Sequence, residues 1–237
     1  MSDPDLTLYE LAGADCDLRF SPHCWKIRMA LAHKGLAATL VPWRFADKDT
    51  IAFSGQGLVP VLVHGADTVS DSWRIALYLE DRFSTRPSLF RGTDAMPVTR
   101  FVNSWADTTL LLMVARVILV DVYNCLDAND RRYFRSSREK YFGMTLEAVA
   151  SDQPARRTDL QKALLPLRSM LKKQEFIGGA APTYADYCVF GMFMWAHICS
   201  AIDILEPDDP IAVWRERLFD AFGGLARSAP TVHRPAG

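Results

Sequence analysis

The chain has 237 residues, 49% apolar and 23% charged, with 27 basic residues against 28 acidic ones. That length supports one large domain or two small ones with cores of their own. A charge near zero excludes the broad basic footprint of a nucleic-acid binder. Five cysteines without C-x-x-C spacing exclude a disulfide framework and point to a reducing, cytoplasmic compartment.

The five histidines form no His/Cys cluster of ligand spacing, so no metal is expected. The opening MSDPDLTLYEL lacks the basic and apolar regions of a secretory leader, and none is expected.

In chain order, residues 6–11 (LTLYEL) read as a first strand. A loop follows to Ser21. From Trp25 the apolar spacing predicts a helix that runs to His33-Lys34 and is ended by Gly35. Residues 38–42 predict a second strand, and 48–53 a short helix in an irregular segment.

The richest stretch is 59–83. Val59-Pro60-Val61-Leu62-Val63 suits a buried strand, and His64-Gly65-Ala66-Asp67 carries turn chemistry. A further strand precedes Asp71-Ser72, a helix start followed by Ile75, Ala76 and Leu79 at helical spacing. An open strand start beside a helix N-terminus offers N–H groups and partial positive charge. That pairing suits a peptide-like ligand with a carboxylate.

Residues 85–97, with two prolines and a glycine between 84 and 97, read as a linker between a domain at 1–84 and a second at 98–237. Beyond it strand signals nearly vanish, and helices are expected over 101–105, 110–120, 131–149, 160–174, 184–205 and 212–222. Tyr187 to Leu205 is mostly apolar but contains His197, Ser200 and Asp203, so it reads as a buried central helix and no membrane span is expected. Thr183 and Asp186 have capping-box spacing at its start.

Ser21-Pro22-His23-Cys24-Trp25-Lys26 stands at the loop-to-helix junction, where a helix N-terminus stabilises an anion. Ser21 is the candidate donor to a bound thiolate; the competing reading is that a serine before proline only caps the helix. Cys24 is the rival as a redox residue, and His23 as a general base.

The stretches SPHCWKIRMALAHKG, VPVLVHGADTVSDSWRIALYLEDRF, RRYFRSSREKYFG and PTYADYCVFGMFMWA resemble the glutathione transferase superfamily. They are most similar to its bacterial β-etherase branch, which cleaves β-aryl ethers of lignin fragments with a serine-type site. The resemblance implies a thioredoxin-like α/β domain followed by an all-α domain. It implies glutathione as co-substrate, Ser21 as the catalytic residue, and a cis bond at Val59-Pro60 that clamps the cysteinyl unit. Asp71 and Ser72 would hold the γ-glutamyl end, with Arg44 and Gln56 near the glycine carboxylate.

One departure stands out. Leu58 replaces the polar residue often found two positions before that proline. An apolar electrophile site is expected against the second domain's first helix, with Trp105, Met113, Arg116 and Tyr123 as candidates. The family implies an aromatic or otherwise apolar electrophile, a detoxification-type role and a homodimer, for which Phe90 suits an anchor. Two alternatives remain: a glutathione or aromatic-ligand binder without turnover, and a Cys24-dependent thiol reductase.

Overall fold

A computed structural model describes residues 5–233; the outer ends of the two expected domains, 1–4 and 234–237, lie outside the described residues. The first layer is a sheet. Strand β1 (Leu6–Leu11) is followed by helix α1 (Pro22–His33), β2 (Thr39–Trp43), a 3-10 segment (Lys48–Ser54), β3 (Val61–His64), β4 (Asp67–Ser70) and α2 (Ser72–Arg82).

The strand order is β2-β1-β3-β4. β1 runs parallel to β2, with Leu8 opposite Leu40, and antiparallel to β3, with Leu8 opposite Leu62. Leu6, Leu8, Val61 and Leu62 are buried against Ile27, Ile75, Ala76 and Leu79, so sheet and helices share one core. This is the expected thioredoxin-like α/β layer.

The second layer is helical: α3 (Met96–Trp105), α4 (Leu111–Asn124), α5 (Ala128–Phe142), α6 (Leu146–Val149), α7 (Gln153–Ala163), α8 (Leu165–Leu171), α9 (Tyr184–Cys199) and α10 (Pro210–Gly224). Several expectations change in detail. α3 starts inside the expected linker, because Pro97 suits the first turn of a helix and so does not break it. A π-helical turn, Ala106–Leu110, joins α3 to α4 without a break.

Gly143, at φ 69°, ends α5 where one helix was expected through 149. A proline at the start of α8 interrupts the helix expected over 160–174. α9 ends at Cys199, where Ser200 turns extended.

α9 is the buried axis: every residue of it except His197 is buried. Its N-terminus carries the expected box, with Thr183 N donating to Asp186 Oδ2 at 2.9 Å. Asp186 also accepts from Ile177 N at 2.6 Å, Gly178 N at 3.0 Å and Trp214 Nε1 at 2.9 Å. One carboxylate thus ties a loop, α9 and α10 together. Among the described residues no helix is long and apolar enough to cross a membrane, and no cluster of three or more His, Cys, Asp or Glu could hold a metal.

Candidate active site

The site is built from the start of α1. Ser21 has extended backbone (φ −60°, ψ 124°), and its Oγ accepts from Cys24 N at 3.3 Å. That bond uses a lone pair and keeps the hydroxyl hydrogen as a donor, with the Cys24 thiol also within its reach. Trp25 Nε1 donates to Arg19 O at 2.7 Å and anchors the preceding loop. From the other domain, α9 presses onto this junction at Gly191, where an added Cβ would lie 2.3 Å from the Pro22 carbonyl oxygen. Only glycine permits that approach.

The Val59-Pro60 bond is cis, as the resemblance implied. Asp71 caps α2, its Oδ1 accepting from Arg74 N at 3.1 Å. It does so at φ 76°, a conformation that costs a non-glycine residue about 1–3 kcal/mol and concentrates at functional sites. The buried Ser72 beside it is fixed across the domain boundary, because Tyr184 OH donates to its carbonyl at 2.8 Å.

Between the layers lies a cavity of 590 Å³. Ser21, Pro22, His23, Leu58 and Val59 line it from the first domain; Leu111, Leu112, Ala115, Leu119, Phe134 and Trp195 form most of the opposite, apolar wall. The π turn brings Asp107 to the rim. There its Oδ1 accepts from Lys26 Nζ at 2.6 Å and its Oδ2 from Asn103 Nδ2 at 2.9 Å. Lys26 is fully buried and donates to Asn103 Oδ1 as well, at 2.9 Å.

The Nδ1 of His23 lies 3.5 Å from Asp107 Oδ1. Its side chain lines the cavity and stays about one third exposed. Desolvation there, with the Lys26 ammonium, pushes its pKa down to about 4, against the opposing pull of Asp107 and Asp71. His23 is therefore neutral at neutral pH and a feeble base.

Ser21 and Val59 thus share one cavity, and Asp71 lies within electrostatic range of the same helix start. Arg44 does not join them. Its guanidinium donates to Gly13 O at 3.2 Å and Ala14 O at 2.9 Å and pairs with Asp127 at 3.7 Å, so it braces a loop. Gln56 is half-buried in the loop before Leu58, outside the cavity wall, where its carbonyl accepts from Ser54 Oγ at 3.5 Å.

None of Trp105, Met113, Arg116 and Tyr123 lines this cavity. The face turned to it carries Leu111, Ala115, Leu119 and Val122, at helical spacing. Met113, Arg116 and Tyr123 recur on another face, and Tyr123 borders a separate shallow groove with Arg131 and Arg135.

Cys24 is buried at 1% exposure, and desolvation with the nearby Glu10 charge pushes its thiol up to about 12. It is neither reachable nor ionised, which removes the ground for a Cys24-dependent reductase. Phe90 packs inside its own chain, 5.5 Å from Trp73 and 5.6 Å from Tyr184, so it is not a free dimer anchor.

Asp107, Lys26, Arg138 and Trp195 were missed from sequence. A lysine on the apolar face of α1 was the one available signal for the first pair.

Comparison with known proteins gives the same outline. Residues 20–82 match the family model for the glutathione S-transferase N-terminal domain, and 98–214 the model for its C-terminal domain. Glutathione S-transferase 1 of Dianthus caryophyllus is 33% identical over 89 residues, 35% of this chain and 37% of that protein. A zeta-class glutathione S-transferase of Euphorbia esula is 33% identical over 91 residues, 36% and 37% of the two chains. The match therefore spans little more than a third of these relatives.

Among solved structures, glutathione transferase GSTFuA3 of Phanerochaete chrysosporium superposes with a TM-score of 0.83 at 20% identity, covering 92% of this chain and 97% of that one. GSTFuA2 of the same organism gives 0.75 at 26% identity, covering 94% of each. CsGST63524 of Ceriporiopsis subvermispora, solved in complex with glutathione, gives 0.78 at 20% identity, covering 92% and 96%.

Proposed function

This chain belongs to the glutathione S-transferase superfamily, and we propose that it is a serine-type glutathione transferase acting on an apolar, aromatic electrophile. Glutathione is the co-substrate. Its cysteinyl backbone pairs beside Val59 and Pro60, its γ-glutamyl end lies at Asp71 and Ser72, and its sulfur sits at Ser21. The observation that carries this reading is a hydroxyl donor at a helix N-terminus that opens into an apolar 590 Å³ cavity. Such a donor favours a thiolate over a thiol, and such a cavity holds an aromatic partner.

The chemistry is a substitution. The thiolate attacks the electrophilic carbon, a C–S bond forms, and the bond to the leaving group breaks with its electron pair. For a β-aryl ether the leaving group is a phenolate, which takes a proton from water. The β-etherase activity rests on the sequence resemblance, and homodimer formation and a detoxification-type role on the superfamily.

The test is incubation with glutathione and, in parallel, an activated aryl halide and a β-aryloxy ketone, with thioether and released phenol quantified. Thioether from either substrate supports the transferase; phenol release supports ether cleavage. A protein that binds glutathione and turns over neither is a ligand-binding member of the fold.

A further inference from the structure

Helix α5 carries four arginines, and three of them are accounted for. Arg131 donates to Tyr123 O at 3.2 Å and Asn124 O at 2.8 Å. Arg132 is exposed and bonds Asn129 Oδ1. Arg135 pairs with Glu139 and Glu147, each at 2.8 Å.

Arg138 is different. It lines the cavity, half-buried, with its guanidinium 5.0 Å from the Phe134 ring centroid and one donation to Ser137 Oγ at 3.3 Å. Phe134 and Ser137 line the cavity too. Among the described residues no carboxylate lies within ion-pair distance of it. Withdrawal from water depresses its pKa, as expected of a cation with no counter-charge.

Five N–H donors and one long bond leave most of the fork unsatisfied. The Trp195 ring forms another part of the wall, and its buried Nε1–H has no hydrogen-bond partner. The cavity's one lining carboxylate, Asp107, is already engaged by Lys26 and Asn103. The lining therefore offers donors and a positive charge but no spare anion.

Resting on the transferase reading, we propose that the electrophile of this cavity carries a carboxylate-class anion on its aromatic frame and that Arg138 is the residue that selects it. A guanidinium matches a carboxylate in a bidentate geometry, and an apolar surround strengthens the pair. A carboxylate could also reach Arg138 from the glycine end of glutathione. The placement of Arg138 on the helical domain, across the cavity from Val59, favours the electrophile.

The test uses quenching of tryptophan fluorescence, since Trp43 and Trp195 line the cavity. The full chain is titrated at physiological ionic strength with 2-naphthoate, with 2-naphthamide and, separately, with glutathione. Wild type is expected to bind the naphthoate about tenfold more tightly than the amide, about 1.4 kcal/mol. Arg138→Gln should bring that ratio close to one while amide binding holds, and Arg138→Lys should keep part of the preference.

Loss of glutathione affinity in Arg138→Gln with the naphthoate preference intact would overturn the proposal in favour of the glycine carboxylate. A wild-type ratio near one, or a ratio unchanged in Arg138→Gln, would overturn it outright. A wild type that prefers naphthoate through Arg138 yet ignores glutathione would retain the anion site and defeat the transferase reading alone.

Discussion

Ser21→Ala removes one oxygen and its proton from the cavity wall, and the consequence for bound glutathione can be worked out. A free cysteine-type thiol titrates near about 8.5. A net hydrogen bond to a charged group contributes about 1.5–3 kcal/mol, and one pKa unit corresponds to about 1.4 kcal/mol. The hydroxyl therefore accounts for about one to two units of depression, and the α1 N-terminus adds a smaller part, about 0.3–1 kcal/mol. The thiol of bound glutathione is expected near about 6.5 in wild type and near about 8 in Ser21→Ala.

The variant also loses the cap to Cys24 N, about 1 kcal/mol of stability, so thermal unfolding is recorded beside the titration. The assay is thiolate absorbance of bound glutathione across about pH 5 to 9, with the pH dependence of conjugation as a second readout. Both inflections should move up together. A bound thiol that titrates alike in the two proteins would show that Ser21 only caps a helix. An unshifted thiol in wild type would refute the electrostatic argument altogether.

Gly191→Ala should destabilise the chain by about 1–3 kcal/mol, because its Cβ meets the Pro22 carbonyl at 2.3 Å and neither backbone is free to yield; chemical denaturation measures it, and an unchanged midpoint would mean that α1 and α9 separate easily. Glu80 receives bonds from Leu89 N, Lys34 Nζ and Ser88 Oγ. Burial alone would raise its pKa, but these donors hold it below the ordinary value of 4.5. A depressed carboxyl contributes stability above its unfolded pKa and loses it as pH falls through the folded one. The stability gap between wild type and Glu80→Gln should thus be full at neutral pH and close below 4.5; a gap independent of pH would reject the assignment. Native thiol labelling at neutral pH should modify Cys16, the one exposed cysteine, and spare Cys24, whose thiol is pushed up to about 12. Rapid labelling of Cys24, read by peptide mass, would reopen the redox reading.

What the sequence disclosed divides along local and non-local lines. The strand-turn-strand-helix run from Val59 is written in neighbours: β-branched residues, turn residues, then a capping Asp-Ser pair, and each element appears where those signals end. The start of α1 is legible for the same reason, since Ser-Pro is an N-terminal signature. The cavity wall supplied by the helical domain was not legible. Residues 110–120 are apolar nearly all round, so periodicity could not say which face met the first domain. The face chosen from sequence lies a few positions round the helix from the one that lines the cavity. The contacts of Arg44 were not legible either, because its partners Gly13, Ala14 and Asp127 are distant in sequence. The π turn that carries Asp107 has no composition signal, and the continuous helix through it hid where the chain would bulge.

On the proposed reading, that bulge sets an acidic residue beside a site for a thiolate. A bare Asp107 carboxylate on the rim would oppose a thiolate at Ser21. It is not bare: Lys26 Nζ at 2.6 Å cancels its charge, and Asn103 bonds its second oxygen. Lys26 belongs to the same helix as the Ser21 junction, and Asp107 to the opposing domain. The pair therefore neutralises the rim and fastens the two halves of the cavity in a single contact. Removing Asp107 would leave the fully buried Lys26 ammonium without its counter-charge, at about 3–5 kcal/mol. With the rim neutralised, the field at the sulfur position is left to the α1 N-terminus and the Ser21 hydroxyl, both of which favour the anion. The same neutrality leaves Arg138 as the uncompensated charge of the cavity lining. On the two proposals together, a thiolate at Ser21 and the Arg138 cation share one largely apolar cavity, which an aromatic electrophile with an acidic substituent would fill.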